Sequence, residues 1–313
     1  MAPLAQEVQR LVTGSVASSS LRTYSYGRQA YSNFCLDMGW LETPASEQGL
    51  LMFVAYLSRR GCSVQTTRVY LAGIRHLHLE RGASIAAFGS PRLAAALQGL
   101  QQLGPKPQPP RPAVTLQQLR QIKRKVYTSL CLPEPDRRML WAAITLGFFG
   151  ILRVSEYLSP SARTVETGRT LIRSNMVVTK EQVQITLPRS KTDQQGRGAK
   201  VMVGATGGEL CPVNAMRNYM AVSRLDSSLP VFTYLDGRFM TAQDINFWLQ
   251  RFLGDRYSSH CLRIGGTTRA AEAGAQTWQL QAGGRWKSCA YQRYIRPTTE
   301  SLSELSRLMT HRT

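Results

Sequence analysis

The sequence has few acidic residues and nothing that would anchor it in a membrane. Its 313 residues include 19 Asp and Glu against 39 Lys and Arg, so the formal net charge at pH 7 is +20. No segment approaches the run of about 18 apolar residues that a transmembrane helix needs. The first twenty residues lack a basic stretch followed by an apolar one, so no secretory signal is expected. These absences argue against a membrane protein and against a secreted one.

Patterns for metals and common cofactors are also missing. The six cysteines form no C-x-x-C pair, and we expect them to be reduced, as in a cytosolic or nuclear protein. His76 and His78 are two apart on a predicted helix and therefore face different directions, which argues against a metal pair. No P-loop, G-x-G-x-x-G, H-E-x-x-H or G-x-S-x-G motif occurs. We therefore expect no metal and no organic cofactor.

The basic surplus is the main positive feature of the composition. With 43% hydrophobic residues the chain can bury a core, so it is not a disordered polycation. A folded protein with a pI of about 10.3 has the charge expected of a partner of polyphosphate, above all nucleic acid.

A proline-rich segment divides the chain. Residues 104–112 read GPKPQPPRP, which cannot form a helix and predicts an extended linker. We predict a helical domain over residues 1–103, a linker over 104–113, and a second domain over 114–313. In the first domain Ser46, Ser63 and Ser90 each precede a helical pattern, and Ser19 or Ser20 precedes another.

The second domain combines helices with a small sheet. Residues 171–179, 183–190 and 199–205 are rich in β-branched residues and are separated by turn-forming segments, so they predict a three-stranded antiparallel sheet. Helical patterns flank them on both sides. The predicted fold is mainly α, with a helical N-terminal domain followed by an α+β domain.

Several residues suited to binding a phosphate follow one another in this second domain. Arg153 and Glu156 are three apart, so the carboxylate is placed to orient the guanidinium. Lys191 stands at the end of a predicted strand, and His260 and Arg263 share one face of a predicted helix. Trp286 and Tyr294 follow in GGRWKS and AYQRYIRP.

In this order and spacing the set resembles the active site of tyrosine recombinases, the phage-integrase family. The resemblance covers residues 114–313, and the helical N-terminal region is similar to the family's core-binding domain. The sequences SKTDQ, GRWKS and RYIR look most like those of eukaryotic mobile-element recombinases, of DIRS-like retrotransposons or Cryptons. The resemblance implies site-specific DNA recombination that integrates or excises a mobile element without metal or ATP.

The resemblance also implies a role for each residue. Tyr294 attacks the scissile phosphate and forms a 3′-phosphotyrosine, Arg153 and Arg263 bind the nonbridging oxygens, and Lys191 protonates the leaving 5′ oxygen. His260 accepts the tyrosine proton or binds the phosphate, Trp286 closes the site, and Glu156 holds Arg153. The interval from Trp286 to Tyr294 is eight residues, one shorter than is common, so Tyr291 stays open as an alternative nucleophile.

Double-stranded DNA is the expected partner, enclosed by the two domains, with a free monomer or dimer becoming a homotetramer on paired DNA sites. Leu302, Leu305 and Leu308 recur at helical spacing in the tail, which docks either on a neighbouring protomer or on its own domain. Thr66, Thr67 and Tyr70 are available for DNA on the same predicted helix as Arg68 and Arg75. The predicted DNA contacts are Arg22, Thr66, Arg68, Arg75, Arg189, Arg197 and Lys200.

Two other functions remain open at this stage. A type IB topoisomerase or a telomere resolvase would use similar residues, and a DNA-binding regulator without catalysis would keep the same fold. The expected location is the nucleus in a eukaryote and the cytoplasm otherwise.

Overall fold

The computed structural model describes residues 2–106, 108–187, 198–223 and 226–309. This part of the chain divides into two compact units, Met1–Pro109 and Pro110–Thr313, and the division falls within the proline-rich segment. None of the described helices is both long and apolar enough to cross a membrane.

The first unit is a bundle of helices, as the sequence predicts. The serine caps over the third, fourth and fifth helices are confirmed: the Ser46 hydroxyl accepts from the Gly49 amide at 3.0 Å, and Ser63 and Ser90 cap the helices after them in the same way. The first helix was not predicted, and the predicted cap of the second at Ser19 or Ser20 is wrong, because that helix begins at Ser18 and its N-cap residue is Ala17. The helices are α1 (Ala2–Gly14), α2 (Ser18–Met38), α3 (Glu47–Arg59), α4 (Val64–Glu80) and α5 (Pro91–Leu103).

Aromatic residues from α2 and α3 fill the core of this unit. Tyr31 stacks on Phe34 and packs edge to face on Phe53, and Phe34 is tilted against Phe53, with centroids 5.1–6.4 Å apart. Both histidines of α4 are buried, and His78 accepts a hydrogen bond from the Ala45 amide at 2.8 Å. His76 instead contacts Arg28 at 2.8 Å, so each histidine has its own structural partner.

The second unit places helices around a small sheet, which confirms the predicted fold class. Residues Cys289–Tyr294 form a 3-10 helix, and the helix over Thr277–Gly284 was not predicted. The helices are α6 (Leu116–Tyr127), α7 (Glu134–Phe149), α8 (Val154–Tyr157), α9 (Pro212–Met220), α10 (Ala242–Leu253), α11 (Ser259–Glu272), α12 (Thr277–Gly284) and α13 (Thr299–Leu308).

The sheet is antiparallel with strand order β1-β2-β3, formed by β1 (Met176–Val178), β2 (Gln182–Leu187) and β3 (Ala199–Gly204). Val183 pairs with Val203 and Ile185 with Val201, and these four side chains are buried. Successive residues point to opposite faces of a strand, so this register turns the apolar face toward the core. The first strand is shorter than predicted because residues 173–175 form a 3-10 turn.

Two consecutive glycines let α11 lie against its neighbours. A Cβ on Gly265 would be 2.1 Å from the carbonyl oxygen of Val114, and one on Gly266 would be 2.1 Å from the carbonyl oxygen of Phe148. The helix is therefore in direct backbone contact with the end of α7. As a result, eight consecutive residues of α11, from Cys261 to Thr268, are buried.

A methyl group at Gly266 should disrupt this contact. We expect Gly266→Ala to lower the free energy of unfolding by about 1–3 kcal/mol, as overpacking of a rigid backbone contact does. The measurement is urea unfolding followed by tryptophan fluorescence. Gly283→Ala is the matched control, since the nearest atom to its Cβ is 3.8 Å away. Equal stability of the two variants would contradict the packing argument.

Candidate active site

Arg153 and Glu156 lie together at the start of α8. The Arg153 amide donates to Glu156 Oε2 at 2.7 Å, and the Arg153 guanidinium donates from Nη1 to Glu156 Oε1 at 2.9 Å. Arg153 is the N-cap residue of this short helix, and Glu156 reaches back to its backbone as in a capping box. The spacing of three residues therefore fixes both the backbone and the side chain of Arg153.

An unusual helix end brings α7 to this point. The Leu152 amide donates to the Gly147 carbonyl at 3.2 Å and the Ile151 amide to the Phe148 carbonyl at 3.2 Å, which is the hydrogen-bond pattern of a Schellman motif. Ile151 takes the left-handed position of this motif with φ of 46°. Glycine usually stands there, and a β-branched residue in this conformation costs about 1–3 kcal/mol. The turn directs the Ile151 carbonyl toward the site.

Arg263 is the most enclosed of the predicted site residues. Its exposed fraction is 0%, and it donates from Nη1 to the Ile151 carbonyl and from Nη2 to the Gly284 carbonyl at 2.6 Å. Its Nε has no hydrogen-bond partner. A buried guanidinium with an unused donor is suited to bind an anion at this point.

Two aromatic side chains lie against Arg263, and a third packs on one of them. The Arg263 guanidinium carbon lies 4.3 Å from the centroid of Trp286 and 5.3 Å from that of Tyr294. The Tyr294 ring also lies 4.9 Å from Trp286 and 5.2 Å from the ring of His260. Arg153, His260, Arg263, Trp286 and Tyr294 thus belong to one cluster, linked through Glu156 and Ile151.

The two candidate tyrosines have different surroundings. Both lie on the 3-10 helix, where residues three apart share one side. Tyr291 is buried at 7% exposure and its hydroxyl donates to Thr277 Oγ1 at 3.4 Å. Tyr294 is half-buried and its ring touches both His260 and Trp286. The arrangement places Tyr294 nearer than Tyr291 to the histidine and to Arg263.

The local charges favour an anion in this site. Burial, and after it the nearby positive charge of Arg153, lower the pKa of Arg263 to about 10, so the group is still a cation at neutral pH. Burial alone would raise the pKa of Glu156, but Arg285 and then Arg153 outweigh this effect and hold the pKa below its usual value. One buried carboxylate therefore stands among three guanidinium groups, which leaves positive charge for a phosphate.

His260 is neutral at pH 7 in this environment. Burial is the main cause of its lowered pKa, and the positive charges of Arg111, Arg263 and Arg296 act in the same direction. A neutral imidazole can accept a proton, which a general base must do.

Arg285 also belongs to the site, although it was not among the residues predicted from the sequence. Its Nη2 donates to Glu156 Oε2 at 2.6 Å and to the Ile151 carbonyl at 3.0 Å. The only signal was its position directly before Trp286, and a basic residue beside an aromatic one is too common to identify a partner.

The structure describes only some of the other predicted residues. Lys191, Arg189 and Arg197 lie outside the described residues. Lys200 is exposed on β3 opposite Thr186, and in the first unit Arg22, Arg68 and Arg75 are exposed. The Thr66 hydroxyl lies 3.0 Å from that of Ser63.

The prediction that Thr67 is available to contact DNA was wrong. Its side chain is fully buried, and its hydroxyl donates to the Ser63 carbonyl at 3.1 Å. Within the parts of the chain that the structure describes, no three His, Cys, Asp or Glu side chains are grouped so that they could hold a metal ion.

The lowered pKa of His260 makes stability depend on pH. The unfolded chain takes up a proton near pH 6.5, while the folded protein resists it, so the free energy of unfolding should fall as the pH drops below 6.5. The contribution has a slope of at most about 1.4 kcal/mol per pH unit. His260→Gln should remove it, as measured by urea unfolding from pH 5 to pH 8. Identical pH dependence in the two proteins would contradict the assignment.

Comparison with known proteins gives matches only among solved structures, since no protein-family model and no curated protein matches the sequence. The Tn1549 transposon integrase in complex with circular intermediate DNA is 15% identical with a TM-score of 0.58, over 97% of this chain and 99% of that one. The XerH site-specific recombinase bound to difH substrate is 13% identical with a TM-score of 0.60, over 92% and 79%. A lambda integrase dimer bound to a core site is 13% identical with a TM-score of 0.59, over 94% and 76%. The chain therefore has the fold of these integrases and site-specific recombinases.

Proposed function

We propose that this chain is a site-specific DNA recombinase, an enzyme that cuts and rejoins DNA strands through a 3′-phosphotyrosine intermediate. The observation that carries the proposal is a single cluster in which the rings of Trp286 and Tyr294 lie against the Arg263 guanidinium, His260 packs on Tyr294, and Arg153 and Arg263 share the carboxylate of Glu156. Stability does not require this combination. The proteins of the same fold, named above as integrases and recombinases in complex with DNA, support the same conclusion.

The chemistry follows from the residue types. The Tyr294 oxygen attacks the phosphorus, the bond from phosphorus to the 5′ oxygen breaks, and His260 takes the tyrosine proton. Tyrosine has a pKa near 10 in water, so it needs both this base and a cationic surrounding to attack at neutral pH. Arg153 and Arg263 donate to the nonbridging oxygens as charge grows in the transition state, an effect for which one donor typically contributes about 10²–10³ in rate.

A general acid is also required. Lys191 is our proposal for this role, because an amine can give up a proton to the leaving 5′ oxygen whereas a guanidinium cannot. A 5′ hydroxyl from a partner strand then attacks the phosphotyrosine, which restores a phosphodiester and frees Tyr294. The phosphotyrosine bond retains the free energy of the phosphodiester bond that was broken, so rejoining the strands needs no ATP. The proposed cycle uses no metal.

We extend the proposal to the biological setting. The sequences SKTDQ, GRWKS and RYIR support a place among eukaryotic mobile-element recombinases of the DIRS or Crypton kind, which integrate or excise their element and work in the nucleus. Much of the +20 net charge then serves as a salt-sensitive grip on the DNA backbone, with Arg22, Arg68, Arg75 and Lys200 among the exposed contributors.

Tyr294→Phe should abolish covalent attachment to DNA. The probe is a nicked suicide duplex carrying the element's terminal repeat, and the readout is protein–DNA adduct on a denaturing gel. Tyr291→Phe is the matched control and should keep the adduct, because that ring contacts Thr277 rather than His260. Adducts that survive Tyr294→Phe and vanish with Tyr291→Phe would contradict the assignment. Joining between two duplexes separates recombination from relaxation by a topoisomerase, and no adduct at all would indicate a regulator.

We also propose that four copies assemble on paired sites through α13. Leu302 on this helix is 59% exposed, as expected for a side chain that a neighbouring copy covers. Deleting the residues after Thr299 should abolish tetramers on two-site DNA in sedimentation while leaving the cleavage of a single site intact. Unchanged tetramer formation would rule out this exchange.

A further inference from the structure

Two helix ends of the same unusual kind meet at the site. Across the described residues, Ile151 and Arg285 are the two that are not glycine and yet have positive φ, with values of 46° and 56°. Arg285 lies at the end of α12 in the same motif that Ile151 forms at the end of α7. The Arg285 amide donates to the Ala282 carbonyl, and the Trp286 amide donates to the Gln281 carbonyl. Each left-handed residue costs backbone energy that glycine would avoid. Strained positions of this kind concentrate at functional sites.

The side chain of Arg285 points inward. It is 9% exposed, and its Nη2 and Nε face the two carboxylate oxygens of Glu156 at 2.6 and 3.4 Å. The same Nη2 lies 3.0 Å from the Ile151 carbonyl, which also accepts from Arg263. One guanidinium therefore touches both groups that hold the two phosphate-binding arginines: the carboxylate that holds Arg153 and the carbonyl that holds Arg263.

This geometry has an electrostatic consequence. A carboxylate as buried as Glu156 needs hydrogen bonds on both oxygens to stay charged. Arg153 supplies one amide and one guanidinium donor, and Arg285 supplies a fork of two more. Because Arg285 donates to both oxygens of Glu156, the carboxylate needs no further donors from Arg153. The other guanidinium donors of Arg153 are then available to bind a ligand.

We propose that Arg285 is a positioning residue for strand cleavage, which acts through Glu156 and the Ile151 carbonyl to hold Arg153 and Arg263 in the orientation that a phosphate requires. The inference rests on the proposed function above. A capping role alone would not explain it: Nη1 donates to the Gly283 carbonyl at the end of α12 at 2.6 Å, but Nη2 and Nε are directed into the ion pair with Glu156.

The test measures single-turnover cleavage of the suicide duplex at saturating DNA, together with the dissociation constant for the same DNA. Arg285→Gln removes the charge and the fork. Arg285→Gly also removes the side chain but suits the left-handed backbone, so it guards against a folding defect. We expect both variants to cleave about 10- to 100-fold more slowly, the range typical of groups that orient a ligand-binding residue. DNA affinity should change by less than about threefold, because Arg285 does not itself contact the phosphate.

Lys287→Gln is the matched control. Lys287 is exposed two residues further along the same loop, so the variant loses the same charge from the same place. We expect its cleavage rate at saturating DNA to stay within about twofold of wild type, with any loss appearing as weaker, more salt-sensitive binding. A loss of rate equal to that of Arg285→Gln would mean that loop charge alone matters, which overturns the inference.

A double-mutant cycle tests the route of action. In a Glu156→Gln background, adding Arg285→Gln should cost less than about threefold in rate, because the ion pair is already gone and only the single bond to the Ile151 carbonyl is left to lose. Independent, multiplying losses would overturn the inference. A wild-type protein that forms no adduct contradicts the proposed function and this inference with it. Equal cleavage by wild type and both Arg285 variants contradicts this inference alone.

Discussion

The site depends on one buried carboxylate, that of Glu156, and on the three guanidinium groups around it. Arg153 and Arg285 both bind it, and Arg263 lies 3.9 Å away. A buried ion pair adds little net stability once the loss of hydration is counted, but removing one member leaves an uncompensated charge. Here the cations outnumber the carboxylate. This surplus of positive charge suits an anion, such as the phosphodiester of the proposed reaction.

The backbone around this carboxylate makes the arrangement rigid. Gly265 and Gly266 bring α11 into backbone contact with Val114 and Phe148, and this contact carries Arg263 to the end of α7. The left-handed turn at Ile151 then aims a carbonyl at Arg263 and Arg285. Gly284 allows the Trp286 ring to cover the same region, since a Cβ there would be 1.8 Å from the ring. Local strain is compensated by ion pairs and packing, as preorganised sites require.

The two candidate tyrosines are distinguished by their neighbours rather than by their spacing. Tyr291 and Tyr294 are three residues apart, which is about one turn of a helix. In the 3-10 helix they lie on one side, so both rings come near Trp286, at 6.3 and 4.9 Å. Their neighbours distinguish them: a threonine hydroxyl faces Tyr291, whereas Tyr294 packs on a neutral histidine. The spacing of residues in the sequence does not show which side chains will be their neighbours in the fold.

The helical first unit, the three-stranded sheet and those site residues that have a distinctive spacing could be predicted from the amino-acid sequence. Serine caps, β-branched strands and the pairs Arg153/Glu156 and His260/Arg263 are local patterns, and local patterns act through backbone geometry that holds in any fold. The unpredicted α1 and α12 lack such signals. The place of Arg285 in the site and the burial of Thr67 became visible in the folded structure, because each results from packing against residues that are distant in the chain. Contacts across 129 residues, such as that between Arg285 and Glu156, are set by packing, which no local pattern encodes.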